Sequence, residues 1–163
     1  MVAAIPSLLP AVPEITLALG ALTPILAIAL AGSFGIDLAS LLNLRIDTAL
    51  LGVIATAPPF AFLIWIMRSR APRLVAFREA QMEFFRTIGF DFTLPRILLL
   101  SLAAGIGEEL LFRGVFQIIG ERHLPIIAAI IAPNILFGAL HARSLIYAVA
   151  AAIVGTYLGL IFW

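Results

Sequence analysis

No cysteine and no lysine occur in the 163 residues, and histidine appears only twice. The missing cysteines exclude disulfides, thiolate nucleophiles and thiolate metal sites, so any chemistry runs on oxygen or nitrogen. Charge is also scarce. Charged residues make up 12% of the chain and the formal net charge is +1, which leaves no basic surface for nucleic acid and no acidic tail. Apolar residues fill the space: 63% of positions are hydrophobic and the mean hydropathy is +1.17. A water-soluble globule does not have this composition. At this length one compact unit is expected, so residues 1–163 are read as a single membrane domain.

A bilayer core of about 30 Å takes roughly 20 residues of apolar helix. Five runs qualify, near 15–36, 48–67, 97–119, 124–142 and 144–163. The fold class this predicts is all-α, a polytopic transmembrane helix bundle of about five spans. The N-terminal stretch, broken by Pro6, Pro10 and Pro13, lacks the positive start of a signal peptide. Pro13-Glu14 suits the opening turn of the first helix, and Gly32, Ser33 and Gly35 suit its end. Pro58-Pro59 should kink the second span, leaving carbonyls for neighbouring helices to cover.

Between the second and third runs, Arg68, Arg70, Arg73, Arg78 and Arg86 mark a cytoplasmic segment by the positive-inside rule. That puts the N-terminus in the cytoplasm too. Within the segment, residues 72–88 read as an interfacial amphipathic helix: Leu74, Phe77, Met82, Phe85 and Ile88 recur opposite Arg78, Glu79, Glu83 and Arg86. Membrane lipid is then an expected partner. Arginine without lysine, with abundant alanine, fits a GC-rich bacterial genome and so a bacterial inner (plasma) membrane.

The run 97–119 is the anomaly, because Glu108, Glu109 and Arg113 stand in its middle. A charge at mid-membrane costs roughly 2.5–3.5 kcal/mol on insertion scales, and function is the default reason for it. Glu109 and Arg113 are four apart and face one side of a helix, so they can pair. Glu108 is turned about 100° away and needs another partner. A carboxyl held out of water becomes a useful base near neutral pH, and an imidazole can tune it. His141, four residues after Phe137 and on its helix face, is the candidate; His123, in a polar turn, is not.

The stretch Gly107-Glu108-Glu109-Leu110-Leu111-Phe112-Arg113-Gly114 resembles the EExxxR motif of the CAAX protease and bacteriocin-processing (CPBP) intramembrane proteases. Phe137-Gly138-Ala139-Leu140-His141 resembles that family's FxxxH motif. The two stand in the family's order on consecutive runs, and the resemblance covers about Leu98 to Trp163. It implies an intramembrane endopeptidase that cleaves membrane-associated peptides with an activated water. On this resemblance Glu108 and His141 are catalytic, while Glu109, Arg113 and Phe137 support them. Membrane-tethered or prenylated-peptide-like chains are the implied substrates. A divalent metal such as zinc is an optional cofactor on Glu108 and His141, but catalytic zinc normally takes three protein ligands, and HExxH is absent.

Family members carry a third motif, a histidine followed four residues later by Asn or Asp; no histidine follows His141 in these 163 residues. A shortened or incomplete member, a group from another subunit, and an inactive site all fit that. Asn134, seven residues before His141, is a candidate hydrogen-bond donor to the site. The competing reading is a non-catalytic membrane binding or immunity protein that keeps the Glu109–Arg113 pair as interhelical glue. A transporter is a weaker alternative, since no inverted repeat is present. Gly105, Gly107 and Gly114 read as close-packing positions, and Gly155 with Gly159 forms a GxxxG that can serve a helix pair or a homodimer face. One tension remains: Glu108 lies roughly 16 Å along its helix from Ile97, whereas His141 ends the next span. On ideal spans of equal length they need not meet.

Overall fold

The computed structural model describes residues 12–42, 45–87 and 93–163, with side chains from Leu22 onward except at 43–44 and 88–92. Pro6, Pro10 and Ile88 therefore lie outside the described residues. The described chain is all helical, with no strand among the described residues. Its helices are α1 (Val12–Ser33), α2 (Ile46–Ala55), α3 (Ala57–Arg68), α4 (Pro72–Thr87), α5 (Leu94–Leu111), α6 (Ile118–His123), α7 (Ile126–Leu140) and α8 (Leu145–Phe162). A π-helical turn, Phe112–Gln117, joins α5 to α6, so Leu94 to His123 is one helical rod.

Two stretches, Ile46–Arg68 and Leu145–Phe162, are long and apolar enough to cross a membrane. The apolar helices Leu22–Ser33 and Ile126–Leu140 are shorter. α1 begins with Pro13 in its opening turn and ends at Ser33. Gly35 follows at φ 60°, a left-handed conformation that glycine adopts without steric penalty. Arg122, far along the chain, donates to the carbonyl oxygens of Phe34 (2.7 Å) and Gly35 (3.5 Å) and ties this end of α1 to α6.

Pro59 has no N–H to offer the carbonyl of Ala55 four residues back. The hydroxyl of Tyr157 on α8 donates to that oxygen instead, at 2.9 Å. A neighbouring helix thus covers the carbonyl that proline frees, as an apolar surround demands.

The core forms where α1 lies against α5 and α7 against α8. Small residues set the approach of these helices. A Cβ on Gly107 would collide with Thr23 Oγ1 and lie 2.7 Å from Pro24 Cδ on α1; one on Gly138 would lie 2.6 Å from the Ala148 carbonyl on α8. Gly105 does not share this role, since a Cβ there meets nothing within 4 Å. It faces away from α1, two residues round the helix from Gly107. Ala27, Ala31, Leu111, Phe112 and Val115 make up the buried apolar cluster between α1 and the π turn.

Candidate active site

The rod 94–123 overhangs its return helix. Glu108 stands 15 positions before His123, and α7 is 15 residues long, about 22 Å of helix. Running back from the turn at 124–125, α7 therefore ends level with Glu108. His141, the residue that terminates α7, arrives beside it: His141 Nε2 lies 3.7 Å from Glu108 Oε1. The tension between a mid-helix acid and a helix-end imidazole disappears because the two helices differ in length.

The other ring nitrogen fixes the tautomer. His141 Nδ1 is 2.8 Å from the Phe137 carbonyl oxygen; a carbonyl only accepts, so Nδ1 carries the proton. In the neutral ring Nε2 is then a lone pair facing the carboxyl of Glu108. A separation of 3.7 Å is too long for a direct hydrogen bond, but a water beside the pair can reach both at about 2.8 Å. The side chains are 29% and 23% exposed, open enough for solvent to arrive. Phe137 packs on the imidazole at 4.3 Å between centroids, and Phe112 meets Phe137 edge-on at 4.9 Å.

The adjacent acid serves a separate network. Arg113 Nη1 is 3.0 Å from Glu109 Oε1, an ion pair by distance although the N–H does not aim at the oxygen. Arg113 Nη2 donates to the Gly155 carbonyl (2.7 Å) and to Asn134 Oδ1 (3.2 Å), so this 1%-exposed guanidinium joins α7 and α8 to the rod. Asn134 differs from its expected role. Its amide donates to the Ile130 carbonyl and its oxygen accepts from Arg113, so the side chain serves the arginine network, with no bond to Glu108 or His141.

Gly155 and Gly159 are likewise engaged within the chain. Their carbonyls accept from Arg113 and from Gln117 Nε2 (3.0 Å), and both residues are buried. This GxxxG packs as a helix pair within the chain.

Sequence reasoning missed two residues. Gln117 is fully buried and bridges Gly159 to Glu121; its place four residues after Arg113 continued the Glu109–Arg113 stripe and was the available signal. Tyr147 stands edge-on to the His141 ring at 5.5 Å. It lies across a turn on another helix, where no periodicity points to it. The π turn also went unforeseen; such wide turns recur at functional sites.

Among the described residues, no group of three His, Asp or Glu converges. Glu108 and His141 are two donors where catalytic zinc takes three from the protein. The described residues do not make up a zinc centre.

A class is now defined: an all-α protein with long apolar helices that keeps a carboxylate–imidazole pair between two of them, beside a buried arginine network. Residues 90–163 match the family model described as "Type II CAAX prenyl endopeptidase Rce1-like", and both motifs lie inside the match. The resemblance to CPBP proteases read from those motifs holds over this part of the chain, and the family is one of membrane-embedded proteases. No curated protein and no solved structure matches the chain.

Proposed function

We propose that this protein is an intramembrane endopeptidase, CAAX-protease-like, that hydrolyses membrane-associated peptides with a water activated by Glu108. The observation that carries the reading is the 3.7 Å approach of Glu108 Oε1 to a His141 Nε2 whose ring is held by the Phe137 carbonyl. Glu108 takes a proton from the water as it attacks the scissile carbonyl. The water oxygen bonds to the carbonyl carbon, and the C–N bond then breaks. The proton held by Glu108 passes to the departing amine. His141 Nε2 accepts the water's other hydrogen and orients its lone pair. Positioned base catalysis of this kind supplies about 10²–10⁴-fold.

The expected substrates are membrane-tethered or prenylated-peptide-like chains, and the expected setting is a bacterial plasma membrane crossed about five times, with the N-terminus in the cytoplasm. A second reading has its own support. Arg113 links three helices through Glu109, Asn134 and Gly155, an arrangement that serves as glue in a non-catalytic binding or immunity protein without any chemistry.

Paired substitutions separate the two. With Glu108→Ala, cleavage of a membrane-tethered reporter peptide should fall by at least about 100-fold while the thermal unfolding midpoint in detergent stays unchanged. With Glu109→Ala, the midpoint should drop first. Wild-type protein that cleaves no tethered peptide at any composition of vesicle would leave the glue reading.

A further inference from the structure

The geometry points to Tyr147 as a positioning residue for His141, one that couples the imidazole to the seating of helix α4. The inference rests on the hydrolytic reading of Glu108 and His141 and adds what keeps the imidazole in place.

Three groups fix the ring. The Phe137 carbonyl holds Nδ1, the Phe137 ring covers one face at 4.3 Å, and the Tyr147 ring abuts it nearly perpendicular, at 86° and 5.5 Å. The first two belong to His141's own helix and travel with it. Tyr147 is the ring contact that comes from another helix, so it limits swinging of the imidazole away from Glu108. It is well placed to do so: Ser144 Oγ accepts from the Tyr147 backbone N–H at 3.2 Å and starts α8 at a defined point.

Tyr147 is itself backed by α4. Phe77 lies against its ring at 6.3 Å, and the Arg143 guanidinium sits 5.5 Å over it and 3.8 Å over Phe84. The ring quadrupole attracts the cation, so this stacking holds Arg143 to both rings. α4 is otherwise lightly held. None of its residues is buried, and from its middle Arg78 donates to the Ile66 (2.7 Å) and Ser69 (2.9 Å) carbonyls where α3 stops. A surface helix seated through aromatic contacts of Phe77, Phe84 and Phe85 thus leans on the tyrosine that braces the catalytic ring. Misplacement by about 1 Å can cost 100-fold in rate, so the brace matters to turnover more than to binding.

Two readouts test this on the full chain in nanodiscs. With only His123 and His141 in the sequence, a ¹H–¹³C correlation spectrum shows two imidazole signals, and His123 serves as the internal reference. In Tyr147→Ala the His141 signal should move or split; in Tyr147→Phe it should stay nearly in place; in Phe77→Ala it should move less than in Tyr147→Ala. With a tethered peptide, Tyr147→Ala should lower kcat about 10-fold or more with KM within twofold, and Tyr147→Phe should recover most of the rate. If Tyr147→Ala does not fold, Tyr147→Leu and Phe77→Ala carry the same comparison. A His141 signal indifferent to Tyr147→Ala or Tyr147→Leu overturns the inference. So does Tyr147→Phe as damaged as Tyr147→Ala, which would move the role to the hydroxyl. Signals that behave as expected in a protein that cleaves nothing would support the brace and sink the protease reading alone.

Discussion

Helices α2–α3 and α7–α8 are both apolar enough to sit in lipid, yet they are held in opposite ways. Within Ile46–Arg68 only Ile66 is buried. In α7 and α8, Ala129, Ile130, Pro133, Asn134, Gly138, Ala151, Gly155 and Gly159 all are. Lipid tails solvate a leucine as well as another helix does, so apolarity places a helix in a membrane without choosing its neighbour. Choice comes from close approach and from polar groups that must find partners. α7–α8 has both, in its glycines and Asn134 and in Arg113 and Gln117, which reach it from the π turn. α2–α3 has one hook at its middle, Tyr157 on the Ala55 carbonyl, and one near its end, Arg78 on the Ile66 carbonyl.

The contrast can be broken most forcefully at Arg113. Arg113→Ala strips the partners of Glu109, Asn134 Oδ1 and the Gly155 carbonyl together. Removing one member of a buried charged network costs about 3–5 kcal/mol; with Glu109 47% exposed, the low end is expected. Unfolding of purified protein by SDS titration reads the loss, and a change below about 1 kcal/mol would mean the network is decorative.

Glycine-to-alanine changes sharpen the comparison next. At Gly155 a Cβ would lie 2.5 Å from Asn134 Oδ1 and 3.2 Å from Phe137 Cδ1, so Gly155→Ala should destabilise by about 1–3 kcal/mol. At Gly52 in α2 a Cβ meets nothing within 4 Å, and Gly52→Ala should stabilise its helix by up to about 1 kcal/mol. Opposite signs in the same titration are the expected outcome; equal effects would erase the distinction between the regions. The smallest effect belongs to Tyr157→Phe. Losing one interhelical hydrogen bond within a membrane is worth about 0.6 kcal/mol, and amide hydrogen exchange near Thr56 in detergent should rise while the α7–α8 pair stays intact.

Much of this was legible in residue order. The apolar runs announced helices, and Pro59 announced a carbonyl in need of cover. The Glu109–Arg113 spacing announced a pair, observed at 3.0 Å. Glu108 and His141 were singled out by their cost and their scarcity, and the observed approach agrees. The misjudged residues share a trait. Gly155 and Gly159 read as a helix-pair or dimer face, and the helix pair lies within the chain, against Asn134 and Gln117; Asn134 read as a donor to the catalytic pair and turned out to hold the arginine; Tyr147 was not noticed. Each depends on which helix stands next to which.

The order of residues by itself determined the apolar helices, the costly acids and every relation within one helix, because a fixed rise and rotation per residue turn spacing into geometry. Tertiary structure alone decided that α7 ends level with Glu108, that a π turn carries Arg113 and Gln117 toward α8, and that Tyr147 meets the imidazole. Those relations depend on the relative lengths and offsets of separate helices, and no periodicity within a helix encodes them.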